Sequence, residues 1–252
     1  MADQPHAGAM ADRSVGVDAQ ASEFGDGAQT MTSARHPRAD TSVSASPERQ
    51  RDAAQTRSEI LEVATEEFAE RGYSGGRVDE IAARTRTTKR MIYYYFGSKE
   101  GLWIAVLERA YAGIRAAERE VDLGHLGPQA AIRRLAELTF DHHESHPDFI
   151  KLVSVENIHR AEHIAKFSSF ANLNMPVIDL ISRILERGYA EGAFRRRVDA
   201  VDVHMLISAF CFFRVANRHT FGAIFGRDLL ENQFRDHYRR MLGDLVVTYL
   251  AG

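Results

Sequence analysis

The 252-residue sequence is short of cysteine, of long hydrophobic runs and of excess basic charge. Its single cysteine, Cys211, excludes a disulfide framework or a cysteine-rich zinc site within one chain. No apolar stretch approaches the roughly 18 residues that a membrane-spanning helix needs, and no signal-peptide pattern begins the chain. We therefore expect a cytoplasmic protein without a membrane partner. Because Cys211 lies in an apolar run, we expect a buried residue rather than a redox-sensing thiol.

The sequence also lacks the features of an enzyme and of a β-sheet fold. No set of nucleophile, base and oxyanion donors is apparent, and Gly72, Gly75 and Gly76 have neither the spacing nor the preceding strand of a phosphate-binding loop. No run of alternating apolar residues is bounded by hairpin turns. We predict an all-α protein that is not an enzyme and needs no cofactor.

Positive charge is local rather than general. The formal net charge is −3, which excludes a uniformly basic nucleic-acid-binding surface. The short segment that holds Arg84, Arg86, Lys89 and Arg90 contains no acidic residue between them. Any DNA contact is expected to lie on this one basic face.

The spacing of apolar residues predicts helices beyond a polar N-terminal arm. Residues 1–48 carry few large apolar side chains and are predicted to be disordered. An amphipathic helix from Gln55 to Arg71 should end at Gly72, and a long helix should begin at Lys99. Later breaks are predicted near residues 124–128, 145–147, 172–176, 191–197 and 226–228. We predict an N-terminal three-helix domain over 49–100, joined by the long helix to a C-terminal helical bundle over 101–252.

Residues 78–96 have the layout of a helix-turn-helix, in which the second helix lies in the major groove of DNA. Thr88 should cap that helix and is also predicted to contact DNA, and Ile92 and Phe96 should face inward. The opposite face then carries Lys89, Arg90, Tyr93 and Tyr94. Arg and Lys donate to guanine edges or phosphates, and tyrosine hydroxyls reach phosphate oxygens. The alternative interpretation is an ordinary solvated helix face.

Three segments of this region are distinctive: FAERGY (68–73), VDEIAART (78–85) and TKRMIYYYFGSKEGLW (88–103). In them the chain resembles the TetR family of one-component repressors. The resemblance implies that Lys89, Arg90 and Tyr94 contact base edges or nearby phosphates, and that Tyr93 and Tyr95 contact phosphates. It also implies that Lys99 binds a phosphate, as suits a helix N-terminus. A partly buried core position is the alternative for Tyr95.

Two places depart from the family's usual pattern. Arg86 and Thr87 occupy the turn where the family usually has glycine and a small apolar residue, so a positive φ at Arg86 would be strained. Gly76 and Arg77 replace the hydroxyl residue that often precedes the first helix of the motif. The phosphate contact usually made there would pass to Arg77 or be lost.

Two late helices, over about 203–221 and 232–250, carry wide apolar stripes. A protein that binds DNA as a two-fold symmetric dimer needs a symmetric interface between its subunits. We therefore interpret these stripes as a four-helix contact between subunits. An intrachain core is the alternative. The predicted interface residues are Val203, Leu206, Phe210, Phe213, Tyr238, Met241, Leu242, Leu245 and Tyr249.

The stretch from Phe140 to Met175 mixes aromatic and polar side chains, as ligand pockets do. The predicted lining residues are Phe140, His143, Phe149, Glu156, Asn157, His159, Phe167 and Phe170. His142 and His146 share an i,i+4 spacing, as do His159 and His163, but only one Glu-x-x-His is present, so solvated or pocket-lining histidines are favoured over a metal site.

These patterns predict a homodimeric, sequence-specific transcriptional regulator. It should bind a pseudo-palindromic operator in double-stranded DNA and act as a repressor. The family resemblance further implies release by a small uncharged or anionic organic inducer. The alternative is a ligand-independent helical DNA-binding or adaptor protein, and an adaptor would not need Lys89, Arg90, Tyr93 and Tyr94 exposed together.

Overall fold

The computed structural model describes residues 47–167 and 169–252, and within these ranges it contains helices and no strand. The all-α fold is confirmed. The predicted arm, residues 1–48, lies outside the described residues except for the first two residues of α1. The α-helices are α1 (Pro47–Gly75), α2 (Val78–Arg84), α3 (Lys89–Phe96), α4 (Lys99–Glu120), α5 (Pro128–Ser145), α6 (Pro147–Ile158), α7 (Ser169–Ala190), α8 (Ala200–Ala216), α9 (Arg218–Phe225) and α10 (Asn232–Ala251).

Helices α1 to α4 share one hydrophobic core. Ile60, Ile81 and Ile92 are fully buried in it, and Phe96 is 9% exposed, so Ile92 and Phe96 face inward as predicted. Phe68 of α1 packs edge-to-face on Trp103 of α4, with ring centroids 5.3 Å apart. Because truncating a buried aromatic side chain costs about 3–5 kcal/mol, this pair contributes much to the stability of the N-terminal region.

Gly72 interrupts the helical backbone of α1, as predicted. Its φ of 68° and ψ of 177° are not helical, and one further turn follows to Gly75. Such a conformation favours glycine because it has no Cβ. The break turns the chain toward α2.

Helices α5, α7, α8 and α10 surround a second core. Cys211 is buried in it, and burial raises the pKa of its thiol to about 12, so the expected apolar role is confirmed. Arg214 is also buried: its guanidinium lies 3.8 Å from the centroid of Phe140 and 3.1 Å from a Glu144 carboxylate oxygen. Its Nε and Nη1 atoms make no hydrogen bond within the described residues, so the aromatic and anionic partners offset only part of the cost of its burial.

Three helix boundaries differ from the sequence prediction. The break predicted at 172–176 is wrong, because α7 continues through Pro176, with Val177 and Ile181 buried on its inner side. Residues 171–176 are exposed or half-buried, so water can reach the Asn172 carbonyl that Pro176 leaves unbonded. Conversely, residues 159–167 interrupt the helices without a glycine or proline. The predicted helix at 203–221 is two helices, α8 and α9, bent by 68°.

In the described residues no single helix is long and apolar enough to cross a membrane. The bent pair α8 and α9 meets the same test only when its two members are taken together.

Candidate nucleic-acid interface and ligand cavity

The start of α2 is held by a buried glutamate of α1. Glu67 accepts a hydrogen bond from the backbone N–H of Arg77 at 3.1 Å and lies 3.3 Å from the guanidinium of Arg71. Arg77 therefore has a fixed backbone at the helix N-terminus, while its side chain is exposed and pairs with Glu80. Sequence reasoning missed Glu67, because its spacing along α1 is that of an ordinary surface glutamate.

The turn between α2 and α3 adopts the strained conformation expected at Arg86. The φ of Arg86 is 53°, and the following Thr87 N–H donates to the Ala82 carbonyl at 3.1 Å. A non-glycine residue in this region costs on the order of 1–2 kcal/mol. Thr88 caps α3 as predicted, with its hydroxyl accepting from the Met91 N–H at 3.2 Å. Both ends of the turn are thus hydrogen-bonded despite the missing glycine.

Helix α3 presents two different faces. Ile92 and Phe96 are buried, whereas the predicted DNA-contacting residues Lys89, Arg90, Tyr93 and Tyr94 are exposed. Tyr94 has 78% of its surface exposed, compared with 37% for Tyr93. The structure therefore brings the four side chains to one accessible surface of a short helix.

The cations around α3 differ in their partners. Lys89 lies 3.1 Å from an Asp79 carboxylate oxygen, and that contact raises the pKa of the amine. Arg84 pairs with Glu66. Among the residues that the structure describes, Arg86 and Arg90 form no ion pair. Arg90 thus needs to break no intrachain salt bridge before it contacts DNA.

Tyr95 and Lys99 are less exposed than the other predicted DNA-contacting residues. Tyr95 is half-buried and packs against the first core, which fits the alternative interpretation. The Lys99 amine donates to the Ser74 carbonyl at 3.3 Å and lies 5.1 Å from the Tyr73 ring centroid. Burial lowers the pKa of Lys99. Lys99 therefore ties α4 to the end of α1, and its contact with phosphate stays a prediction.

The junction between α3 and α4 depends on a glycine. Ser98 caps α4 by accepting from the Gly101 N–H at 3.0 Å. A Cβ at position 101 would overlap the carbonyl oxygen of Phe96. The FGSKEG sequence thus fixes how the start of α4 packs against the end of α3.

A cavity of about 360 Å³ is lined by residues of α4, α5, α6, α7 and α8. Of the predicted pocket residues, His143, Phe149 and Asn157 line it. Sequence reasoning missed the contributions of α4 and α8, because their apolar and polar residues follow the pattern of ordinary packing helices. These missed residues include Tyr111, Ile114, Arg115, His204, Ser208 and Phe212.

The other five predicted pocket residues lie elsewhere. Phe140 belongs to the second core and Phe170 to the first. His159 packs edge-to-face on Tyr73 with ring centroids 6.1 Å apart. Phe167 is exposed, beside the short 3₁₀ helix (Ile164–Lys166).

Glu156, the fifth of these residues, has a structural role instead of lining the cavity. It accepts hydrogen bonds from the Trp103 indole at 2.9 Å and from the backbone N–H groups of His163 and Ile164, each at 3.0 Å. Burial alone would raise the pKa of Glu156, but these hydrogen bonds lower it below its usual value. Its carboxylate joins α4, α6 and the segment after α6.

The predicted dimer residues divide between core and surface. Val203 and Leu242 are fully buried inside the chain, so these two assignments are wrong. Both lie on the inner sides of α8 and α10, a distinction that the wide stripes concealed. Leu206, Phe210 and Tyr238 are half-buried against the second core. Phe213, Met241, Leu245 and Tyr249 are exposed.

Comparisons with known proteins match both parts of the chain. A family model described as bacterial regulatory proteins, tetR family, matches residues 60–106. A second model, described as tetracyclin repressor-like, C-terminal domain, matches residues 128–246. The HTH-type transcriptional repressor NicS of Pseudomonas putida is 34% identical over 202 residues, which cover 80% of this chain and 95% of NicS.

Solved structures show the same fold. A putative transcriptional regulator, SCO4942 from Streptomyces coelicolor, superposes with a TM-score of 0.60 at 26% identity, covering 77% of this chain and 98% of that one. The ketosteroid transcriptional regulator KstR2 of Mycobacterium tuberculosis has a TM-score of 0.59 at 22% identity, with coverage of 78% and 95%.

Proposed function

The chain belongs to the TetR family of bacterial regulatory proteins, and we therefore propose that it represses transcription by binding, as a homodimer, to a pseudo-palindromic operator. It is a DNA-binding transcriptional regulator with a helix-turn-helix. In this proposal the protein is not an enzyme, and it binds its operator in the cytoplasm. Its N-terminal domain, residues 49–100, reads DNA, and residues 101–252 bind an effector and the second subunit.

One observation carries this proposal: the division of α3 into a buried and an exposed face. Ile92 and Phe96 anchor the helix, so the opposite face projects from the domain surface. Arg90 and Tyr94 on that face have the length and the hydrogen-bonding groups to reach base edges and phosphates. In this proposal Arg77 and Lys99, each at the start of a helix, would contact the DNA backbone.

Dimerisation would supply the second recognition helix. A single short helix contacts too few bases for tight specific binding, and a palindrome requires two-fold symmetry. The exposed apolar residues Phe213, Met241 and Leu245 on α8 and α10 supply the surface that such a partner would cover.

Effector binding would act through α4. This helix is about 33 Å long by its 22 residues, and it contributes Trp103 to the first core and Tyr111 to the cavity wall. A ligand that moves the cavity end of α4 also moves the end that packs against α3. The two recognition helices of the dimer would then no longer match successive major grooves.

A mobility-shift assay with DNA from upstream of the gene tests the proposal. The wild-type chain should retard this DNA in the presence of excess non-specific competitor. Because a good base contact contributes about 1–3 kcal/mol, Arg90→Ala and Tyr94→Ala should each weaken specific binding roughly 10- to 100-fold. Arg134→Ala, at an exposed position of α5, is the matched control and should bind normally.

If both α3 variants bind as tightly as wild type, α3 is not the recognition helix. A helical adaptor without DNA-binding activity would give no retarded complex even with the wild-type chain.

A further inference from the structure

The ligand cavity contains buried polar groups without hydrogen-bond partners. Arg115 on α4 is only 4% exposed, and in the described residues its Nε and Nη1 atoms make no hydrogen bond. The Nδ1 atom of His143, which lines the cavity from α5, is likewise buried and unpartnered within the described chain. Buried polar groups are nearly always hydrogen-bonded, so these atoms need a partner that enters from outside.

The ion pair that Arg115 forms leaves most of the N–H donors of its guanidinium without a hydrogen bond. Its Nη1 lies 3.1 Å from Glu118 Oε2, one turn along the same helix, but not in hydrogen-bonding geometry. A guanidinium has five N–H donors, and a carboxylate placed in their plane accepts two of them. The Arg115 side chain thus keeps donors for a second anion.

The charge around the cavity also favours an anion. Burial raises the pKa of Glu118 to about 7, against the opposing effect of Arg115, so near neutral pH much of it carries no charge. Burial lowers the pKa of His143 to about 4, and it lowers the pKa of His204 as well. The cavity therefore has two neutral histidines and one buried cation whose charge Glu118 compensates incompletely.

The remaining walls are apolar and largely aromatic. Tyr111 and Phe149 pack edge-to-face with centroids 5.2 Å apart, and Phe212 lies on the α8 side. Aromatic rings bind other rings in offset or edge-to-face geometry. A volume of about 360 Å³ is enough for one or two fused rings with a polar substituent.

We propose that this cavity binds an aromatic monocarboxylate, with the carboxylate held by Arg115 and the ring enclosed by Tyr111, Phe149 and Phe212. The inference rests on the proposed effector function of the C-terminal domain and names the chemical class of the effector. His143 supplies a second hydrogen bond to the carboxylate or to a ring substituent.

Isothermal titration calorimetry on the full chain tests the proposal with two carboxylate probes and their neutral counterparts. The probes are benzoate and 2-naphthoate, compared with benzamide and 2-naphthamide. At least one carboxylate should bind wild type ten times more tightly than its amide. Equal binding of acid and amide, or no binding of either acid, would overturn the proposal.

Variants distinguish the role of Arg115 from a loss of folding. Arg115→Gln alone leaves Glu118 buried without its ion-pair partner, so the double variant Arg115→Gln with Glu118→Gln replaces the pair by two neutral amides. It should keep the wild-type helical content and bind the carboxylate at least tenfold more weakly, with unchanged affinity for the amide. Glu118→Gln alone, which keeps Arg115, should bind the carboxylate at least as tightly as wild type. Unchanged carboxylate affinity in the folded double variant would contradict the proposal.

The location and the proposed function are tested separately. Ser208→Phe fills the cavity without changing its charge and should abolish carboxylate binding; retained binding would place the site elsewhere and overturn the proposal. Failure of the mobility shift with wild-type protein would refute the DNA-binding proposal. A normal mobility shift together with no preference for either acid would refute only the assignment of the effector class.

Discussion

At the scale of single residues, Glu156 shows that a polar side chain in a predicted pocket segment can stabilise the fold instead of binding a ligand. It lies in the predicted pocket region, yet its carboxylate is used by three donors from α4 and from the segment after α6. That segment turns through Arg160 and Ala161, whose φ angles are 57° and 59°. Glu156 holds the chain in this uncommon conformation.

We predict that Glu156→Ala lowers the free energy of unfolding by about 3–5 kcal/mol, because each buried donor left without an acceptor costs roughly 1–3 kcal/mol. Urea unfolding followed by circular dichroism measures the change. Glu120→Ala, at an exposed position of α4, is the control and should stay within about 0.5 kcal/mol of wild type. A similar effect of both substitutions would show that the Glu156 network adds no particular stability.

Residue-level prediction from sequence succeeded where local spacing determines the outcome. The cap at Thr88, the inward-facing Ile92 and Phe96, and the exposure of Tyr94 all follow from positions within one short helix. Glu156 could not be assigned in this way, because its partner Trp103 is 53 positions away in the chain. A hydrogen bond at such a separation leaves no local pattern.

At the scale of helices, the sequence indicated where most elements lie but not which side of a wide apolar stripe faces the core. On α10, Leu242 and Val246 are buried while Met241 and Leu245 are exposed, although all four belong to one stripe. The same ambiguity made Val203 look like an interface residue. Only the packing of α10 against α5 and α8 separates the two sides.

Because one side of α10 is buried and the other exposed, substitutions at neighbouring positions of this helix should have different effects. Leu245→Arg should disrupt the dimer and leave each subunit folded, because the new charge replaces an exposed side chain that only a partner would bury. Leu242→Arg should unfold the chain. Sedimentation velocity and thermal melting measure the two effects.

Gln233→Arg adds the same charge at an exposed position at the start of α10 and should change neither property. A dimer that survives Leu245→Arg would exclude this stripe as the interface.

At the scale of the whole molecule, α4 connects the proposed recognition helix α3 to the proposed effector cavity. Its N-terminal half packs in the first core, and its C-terminal half carries Arg115 and Glu118. Coupling through such a helix is reciprocal: an effector that weakens operator binding tenfold, about 1.4 kcal/mol, must itself bind tenfold more weakly to the protein–DNA complex. The sequence predicted the connection through α4 but not the cation at its cavity end.

In the proposed complex two copies of α3 read one operator symmetrically, and hydroxyl-radical footprinting of the bound operator tests this arrangement. Symmetric binding predicts two protected patches on one face of the duplex, related by two-fold symmetry. Their centres should be about 34–36 Å apart, or a small multiple of that distance. A single unsymmetrical patch, or protection spread without regard to sequence, would contradict it.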